Sequence, residues 1–232
     1  DPVFFVRTLI DTRAKVNQPI TRAAWYILAI SVFAMILLPA ALTGTTIAFP
    51  EIELDFGSNR ATLSWILSGY AITTAAFTLL GGQLSDRLGS QRMFTRGMLL
   101  FFFGALVCTF SPNVSFLIAG RTMQGIGAAI YAPSSLAIVL LRFHKTHHPL
   151  AIGIWAASVP IGSALSPTFA SLILEIADWR WMFAVQTIGA AAVVIAIALH
   201  KTKEISAEII NTGSLDILGI PIGTAAIGCL AL

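Results

Sequence analysis

The sequence predicts an all-α polytopic membrane protein, a six-helix transmembrane bundle followed by the start of a seventh span. Three observations carry this expectation. Hydrophobic residues make up 56% of the chain and charged residues only 11%, against roughly 25% charged in a soluble domain. Mean hydropathy is +0.84, and no water-soluble fold has enough interior to hide that much apolar surface. Apolar stretches recur at the length a bilayer demands, about 20 residues. Finally, the charges sit in the connections and differ in sign between alternate connections.

Residues 1–24 read as a cytoplasmic segment carrying Arg7, Arg13, Lys15 and Arg22. No small-residue cleavage pattern of a signal peptide is evident. The apolar opening at 3–10 suits an amphipathic surface helix or the remnant of something longer. The six spans of the bundle, 25–199, run over 25–49, 62–84, 93–110, 114–141, 151–174 and 182–199. A short cytoplasmic loop, 200–214, then leads to 215–232, the start of a seventh span. That stretch is still apolar at Leu232, so the sequence is expected to be part of a longer membrane protein.

Orientation follows from the basic residues. Of the 14 Lys and Arg, all but Arg60, Arg121 and Arg180 fall on the side of the N-terminus. The opposite connections hold Glu51, Glu53, Asp55, Glu175 and Asp178. The positive-inside rule therefore predicts a cytoplasmic N-terminus. Trp25, Trp179 and Trp181 fall near predicted interfaces, where an indole is usually an anchor. The spans are rich in Gly, Ala, Ser and Thr, as closely packed membrane helices are. Cys108 and Cys229 occupy separate apolar stretches and read as single buried thiols.

Arg121 interrupts the fourth span, in the run Leu117-Ile-Ala-Gly-Arg-Thr-Met-Gln-Gly-Ile-Gly-Ala-Ala129. A guanidinium keeps its proton, and placing one mid-membrane costs at least ~3 kcal/mol on insertion scales. Such a residue is a functional-site hypothesis by default. Arg121, Gln124, Gly125 and Ala128 share one helix face, so a cation and an amide are expected to point into one cavity while Gly125 keeps the wall thin. The plainer role for Arg121 is structural, bonding carbonyls between helices. Trp65, Tyr70, Gln83, Tyr131, Trp155 and Gln186 are candidate lining residues of a substrate path. Most aromatic residues in membrane proteins instead pack or anchor.

The loop between the second and third spans reads Gly81-Gly-Gln-Leu-Ser-Asp-Arg-Leu-Gly-Ser-Gln-Arg92. Gly82 permits close approach, Asp86 can accept from a base or face a helix N-terminus, and Gly89 makes a tight turn. This spacing resembles the major facilitator superfamily signature G-x-L-[AS]-D-R-x-G-x-x-R. Around Arg121, L-x-x-x-R-x-x-Q-G-x-G-A-A looks like the fourth-span motif of drug:proton antiporters. Trp65-Ile-Leu-Ser-Gly-Tyr70, Trp179-Arg-Trp-Met-Phe183 and Leu215-Asp-Ile-Leu-Gly219 resemble motifs of the branch with fourteen spans, and the short 200–214 loop also favours fourteen over twelve. The resemblance implies the N-terminal six-helix bundle of a multidrug efflux antiporter in the plasma or inner membrane. Its partners would be a small-molecule substrate, protons, membrane lipids and the C-terminal bundle of the same protein. It also implies that Gly82, Asp86, Arg87, Gly89 and Arg92 gate the cytoplasmic side and that Arg121, Gln124 and Gly125 serve transport within the membrane.

Two stretches depart from that pattern. The fifth span reads Gly162-Ser-Ala-Leu-Ser-Pro167-Thr-Phe-Ala-Ser171, keeping one glycine and the proline of G-x-x-x-G-P-x-x-G-G. Its replacements are all small, so close packing and a bend at Pro167 are expected to survive. The first span lacks the acid that many of these antiporters carry, and none of the six spans holds Asp or Glu near its middle. A transporter of lipids or metabolites without proton coupling, or a transport-incompetent receptor or scaffold, are the competing readings. No cofactor, nucleic-acid partner or enzymatic role is expected. The chain has no phosphate-binding glycine loop, no paired intramembrane carboxylates, and no HExxH or GxSxG. The run His144-Lys-Thr-His147-His148 lacks a Cys or carboxylate to complete a metal site and reads as a loop at the lipid headgroups.

Overall fold

The computed structural model describes residues 20–199, with only the backbone of Arg60. The N-terminal segment, the 200–214 loop, the start of the seventh span and Cys229 all lie outside the described residues. Helix α1 (Arg22–Ile47) opens where the Thr21 hydroxyl accepts from the Ala24 N–H at 3.2 Å, and it contains Pro39. Ala48 separates it from a short helix, α2 (Phe49–Phe56). Helix α3 (Arg60–Leu88) is capped by Asn59, whose side chain accepts from Thr62 N–H at 2.8 Å. Helix α4 (Ser90–Thr109) follows after one residue, Gly89, at φ +93°. Asn113 caps α5 (Val114–Arg142) by accepting from Phe116 N–H at 3.1 Å. A single 3-10 turn (Lys145–His147) leads into α6 (His148–Ile176), which carries Pro160 and Pro167. The last described helix is α7 (Arg180–Leu199).

Six of these helices, α1 and α3 through α7, are long and apolar enough to cross a membrane. Large apolar side chains such as Phe103, Phe169 and Ile188 point outward, as they must when the solvent is lipid. The fold is all-helical, as expected. The predicted first span extended to residue 49, but α1 ends at Ile47. Pro50 and Glu51 begin a new helix there, because proline and an acid both suit a first helical turn.

Close helix contacts explain the arrangement. Helix α5 lies at the centre, packed most extensively on α4 and α3, while α1 packs on α6 and α7 on α4 and α1. Between α4 and α5 the approach is set by glycines. A Cβ on Gly104 would sit 2.6 Å from the Gln124 backbone nitrogen, and one on Gly127 would sit 2.5 Å from that of Phe101. Between α3 and α5, Gly81 abuts the Ala129 carbonyl. Pro133, four residues on, has no N–H to offer that carbonyl.

The altered fifth-span motif also packs closely. Gly162, Ser166 and Ala170 are buried four residues apart on one face of α6. A Cβ on Gly162 would be 2.9 Å from both the Ile36 carbonyl and the Pro39 ring. The Ser166 hydroxyl donates to the Ala40 carbonyl at 3.4 Å. Pro167 is half-buried, and α6 continues as one helix through it.

One indole is not where the sequence placed it. Trp25 and Trp181 are exposed, at 44% and 56%, but Trp179 is 2% exposed. It is covered by the short helix α2, an element the sequence did not predict.

Candidate functional site

Arg121 is fully buried, on the face of α5 that meets α3 and α7. Its Nε donates to the Ile66 carbonyl of α3 at 3.1 Å. Its Nη1 donates to Gln124 Oε1 at 3.0 Å. The Gln124 amide then donates through Nε2 to Gln186 Oε1 on α7, also at 3.0 Å. The guanidinium carbon stands 4.3 Å from the centroid of the Tyr70 ring and 5.9 Å from that of Phe183. Both rings present electron-rich faces to the cation, worth about 2 kcal/mol or more when desolvated. Tyr70 is itself fixed, its hydroxyl donating to the Leu38 carbonyl of α1 at 3.1 Å.

The result is a polar line through the middle of an apolar bundle. Three residues in sequence order along α5 and α7 link four helices, because the Cys108 thiol of α4 also lies 3.7 Å from Gln124 Oε1. Every charge-stabilising group in the line is neutral. Arg121 Nη2 remains buried without a hydrogen-bond partner. The acids among the described residues are Glu51, Glu53, Asp55, Asp86, Glu175 and Asp178, all at helix ends or in connections.

The sequence expected Arg121 and Gln124 to face a cavity with Gly125 thinning its wall. The structure encloses both side chains, and it gives Gly125 another task. A Cβ there would lie 2.6 Å from the Tyr70 carbonyl. This closeness lets Thr74 Oγ1 donate to the Gly125 carbonyl at 3.2 Å, and Thr73 Oγ1 to that of Thr122 at 3.3 Å. Gly125 therefore brings α3 near enough to set Tyr70 over Arg121. Arg121 also bonds a carbonyl between helices, so the structural role and the placement at a polar line coexist.

Of the other candidate path residues, Tyr131 is buried edge-on to Phe94 and Phe101, at 6.3 and 5.6 Å between centroids. Its hydroxyl has no partner. Trp155 is half-buried and donates to Ser135 Oγ at 2.9 Å. Trp65 is 48% exposed. Among these aromatic residues, Tyr70 alone touches Arg121 within the described residues.

The candidate gating residues lie at the junction of α3 and α4. Gly89 supplies the positive φ of the turn, and its N–H donates to the Ser85 carbonyl at 3.1 Å. Gly82 leaves room, since a Cβ there would meet only Pro133, at 4.0 Å. Asp86 is exposed and holds no ion pair or hydrogen bond among the described residues. Arg92 is exposed and Arg87 half-buried. Beside them, Gln83 Oε1 and Ser85 Oγ are buried without partners. In the histidine run, His148 Nε2 sits 3.0 Å from the Phe143 carbonyl and 3.1 Å from that of Leu140, at the end of α5.

A second polar cluster was not foreseen. Arg180 Nη1 pairs with Asp55 Oδ2 at 2.9 Å, and the Trp179 indole donates to the same oxygen at 3.1 Å. Arg180 Nη2 reaches the Ser111 carbonyl at 3.5 Å. The guanidinium stacks 4.4 Å from Trp179, which meets Phe183 edge-on at 6.0 Å. The cluster joins α2, the α4–α5 connection and the start of α7. Phe183 belongs to both clusters. The run Trp179–Phe183 was the only signal in the sequence, and nothing local pairs it with Asp55.

Comparison with known proteins agrees with this architecture. A family model described as "Major Facilitator Superfamily" matches residues 21–216. The chain is 31% identical over 192 residues to the methylenomycin A resistance protein of Bacillus subtilis, covering 82% of this chain and 40% of that protein. It is 30% identical to the multidrug resistance protein Stp of Mycobacterium tuberculosis, covering 84% and 36%. It is 36% identical to the riboflavin transporter RibZ of Clostridioides difficile, covering 65% and 33%. The chain thus spans two fifths or less of the length of these relatives. A crystal structure of a peptide transporter (an E310Q mutant in complex with sulfate) superimposes with a TM-score of 0.69 at 16% identity, over 90% of this chain and 44% of that one. At that identity the likeness shows the fold alone.

Proposed function

The chain belongs to the major facilitator superfamily, and on that premise we propose that it forms the N-terminal bundle of a secondary active transporter that exports amphipathic small molecules by alternating access. The observation that carries this reading is the buried line Arg121–Gln124–Gln186 across α5 and α7. An intramembrane charge held between helices marks a transport pathway more often than a packing device. Relatives named for drug resistance support export. The substrate would bind where this bundle faces a second one, and rocking of the two would alternate access.

In this reading the N-terminus is cytoplasmic and the protein resides in the cell membrane. Asp86, exposed at the α3–α4 turn, latches onto the C-terminal bundle in the outward-open state, aided by Arg87 and Arg92. Gly162 and its small neighbours pack α6 on α1 as one rigid unit. Exchange for protons then draws its titrating carboxylate from outside the described residues, because Arg121 has none beside it. That same lack favours a second reading, transport of a lipid or metabolite without proton coupling; a riboflavin transporter among the relatives bears on the kind of cargo alone. Full-length protein reconstituted in liposomes under an imposed pH gradient separates the two. Transport of ethidium that accelerates with the gradient supports exchange, and transport indifferent to it removes the proton from the mechanism.

A further inference from the structure

Trp179 gives up the place at the membrane interface that its neighbour keeps. Trp181 is 56% exposed, whereas Trp179, two residues earlier, is 2% exposed. The ion pair beside it does not explain that burial. The Arg180 and Asp55 side chains are 33% and 42% exposed, and a pair so placed contributes little. The specific bond is the one from the Trp179 indole to Asp55 Oδ2, at 3.1 Å. A buried indole N–H needs an acceptor, and α2 supplies it from outside α7. Phe56 of the same short helix meets the Trp179 ring edge-on at 5.5 Å.

What Trp179 fixes is carried along α7. Its carbonyl accepts from the Met182 N–H at 3.2 Å, so it opens the helix. Residues three, four and seven positions on share its face, and Met182, Phe183 and Gln186 are all buried. The Trp179 ring meets Phe183 edge-on at 6.0 Å. Phe183 in turn lies 5.9 Å from the Arg121 guanidinium, and Gln186 accepts from the Gln124 amide at 3.0 Å. A packed helix moves as a rigid element. Rotation or sliding of α7 at its first residue would therefore displace both groups that α7 brings to the Arg121 line, one ring and one amide.

We propose that Trp179 is a positioning residue for the Arg121 line: held by Asp55, it sets the register of α7 so that Phe183 covers the guanidinium and Gln186 meets Gln124. The short helix α2 is then a strap on α7 that acts on Arg121 without touching it. The inference rests on the reading of that line as part of the transport pathway. Cys108 reports on the strap. Its thiol is fully buried in the same apolar cluster as Trp179 and Phe183, 3.7 Å from Gln124 Oε1.

The test is the rate at which N-ethylmaleimide labels Cys108 in full-length protein whose other cysteines are replaced by serine. Labelling of a buried thiol reads the fraction of molecules in which its surroundings have opened. Asp55→Ala removes the acceptor of the indole, and the loss of one charged hydrogen bond should speed labelling about tenfold or more. Asp55→Asn keeps an oxygen for the indole and removes only the charge, so labelling should stay within about threefold of wild type, since the exposed pair contributes little. Gly162→Ala is the control for general loosening. Its Cβ would press on Ile36 and Pro39 at the α1–α6 seam, and Cys108 labelling should stay near the wild-type rate. In liposomes, Asp55→Ala should slow ethidium transport and Asp55→Asn should restore it. Wild-type labelling of Asp55→Ala overturns the proposal. So does Asp55→Asn labelling as fast as Asp55→Ala, or equal acceleration by Gly162→Ala. Ethidium transport by Asp55→Ala at the wild-type rate, with Cys108 exposed, overturns the positioning role. The labelling needs no transport, so a protein that moves no ethidium fails the transporter reading while the Cys108 rates still decide the strap.

Discussion

Replacing Gly125 by alanine tests how the Arg121 site is held together. The new methyl would lie 2.6 Å from the Tyr70 carbonyl and 3.2 Å from Thr74 Oγ1. The first of these neighbours is backbone and cannot rotate away, so α3 must move off α5. Overpacking of this kind costs about 1–3 kcal/mol. Separation also weakens the bonds from Thr74 to the Gly125 carbonyl and from Thr73 to that of Thr122, at about 0.6 kcal/mol each in membrane proteins. Alanine's better helix propensity offsets up to about 1 kcal/mol of this, leaving a net loss of about 1–3 kcal/mol. The matched control is Gly153→Ala on α6, where an added Cβ meets nothing within 4 Å. SDS-induced unfolding of the full-length protein in mixed micelles measures both. Gly125→Ala should unfold at lower SDS than wild type, and Gly153→Ala should match or slightly exceed wild type. Equal stability of the two variants would refute the claim that α3 and α5 are in contact at Gly125.

Two further outcomes follow from particular residues. In a double-mutant cycle with Asp55→Asn and Arg180→Gln, the coupling energy read by the same unfolding assay should be about 1 kcal/mol or less, because the Arg180 and Asp55 side chains are 33% and 42% exposed. Gly89→Ala places a side chain at φ +93°, and circular dichroism melts should show a loss of about 1–3 kcal/mol from that strain.

The spans were legible because a bilayer imposes a length and an apolar composition that survive in any single window of sequence. Arg121 stood out for the same reason, as a charge where lipid forbids one. The short helix α2 was not legible as a helix. Glu51, Glu53 and Asp55 made residues 49–57 look like a solvated loop, although Pro50 and Gly57 carry start and stop signals. Its absence from the prediction then misplaced Trp179, which depends on Asp55 for its hydrogen bond and on Phe56 for an edge contact at 5.5 Å. Spacing put Arg121, Gln124 and Gly125 on one face, but it could not divide that face between α7 and α3. Gln186 reads in sequence as a candidate path residue, and nothing local identifies its partner. Only the packing of α7 on α4 and α1 brings it to Gln124, 62 positions away.

The buried Arg121 line is proposed to be part of the transport pathway and not only a tie between helices. Ethidium transport by full-length protein in liposomes, compared between wild type and Arg121→Ala at matched incorporation and matched unfolding midpoint, tests it most directly. The expected outcome is a loss of about tenfold or more in the transport rate, the scale of one charged hydrogen bond among those that tie Arg121 to Ile66 and Gln124. A folded Arg121→Ala protein that transports at the wild-type rate would contradict it.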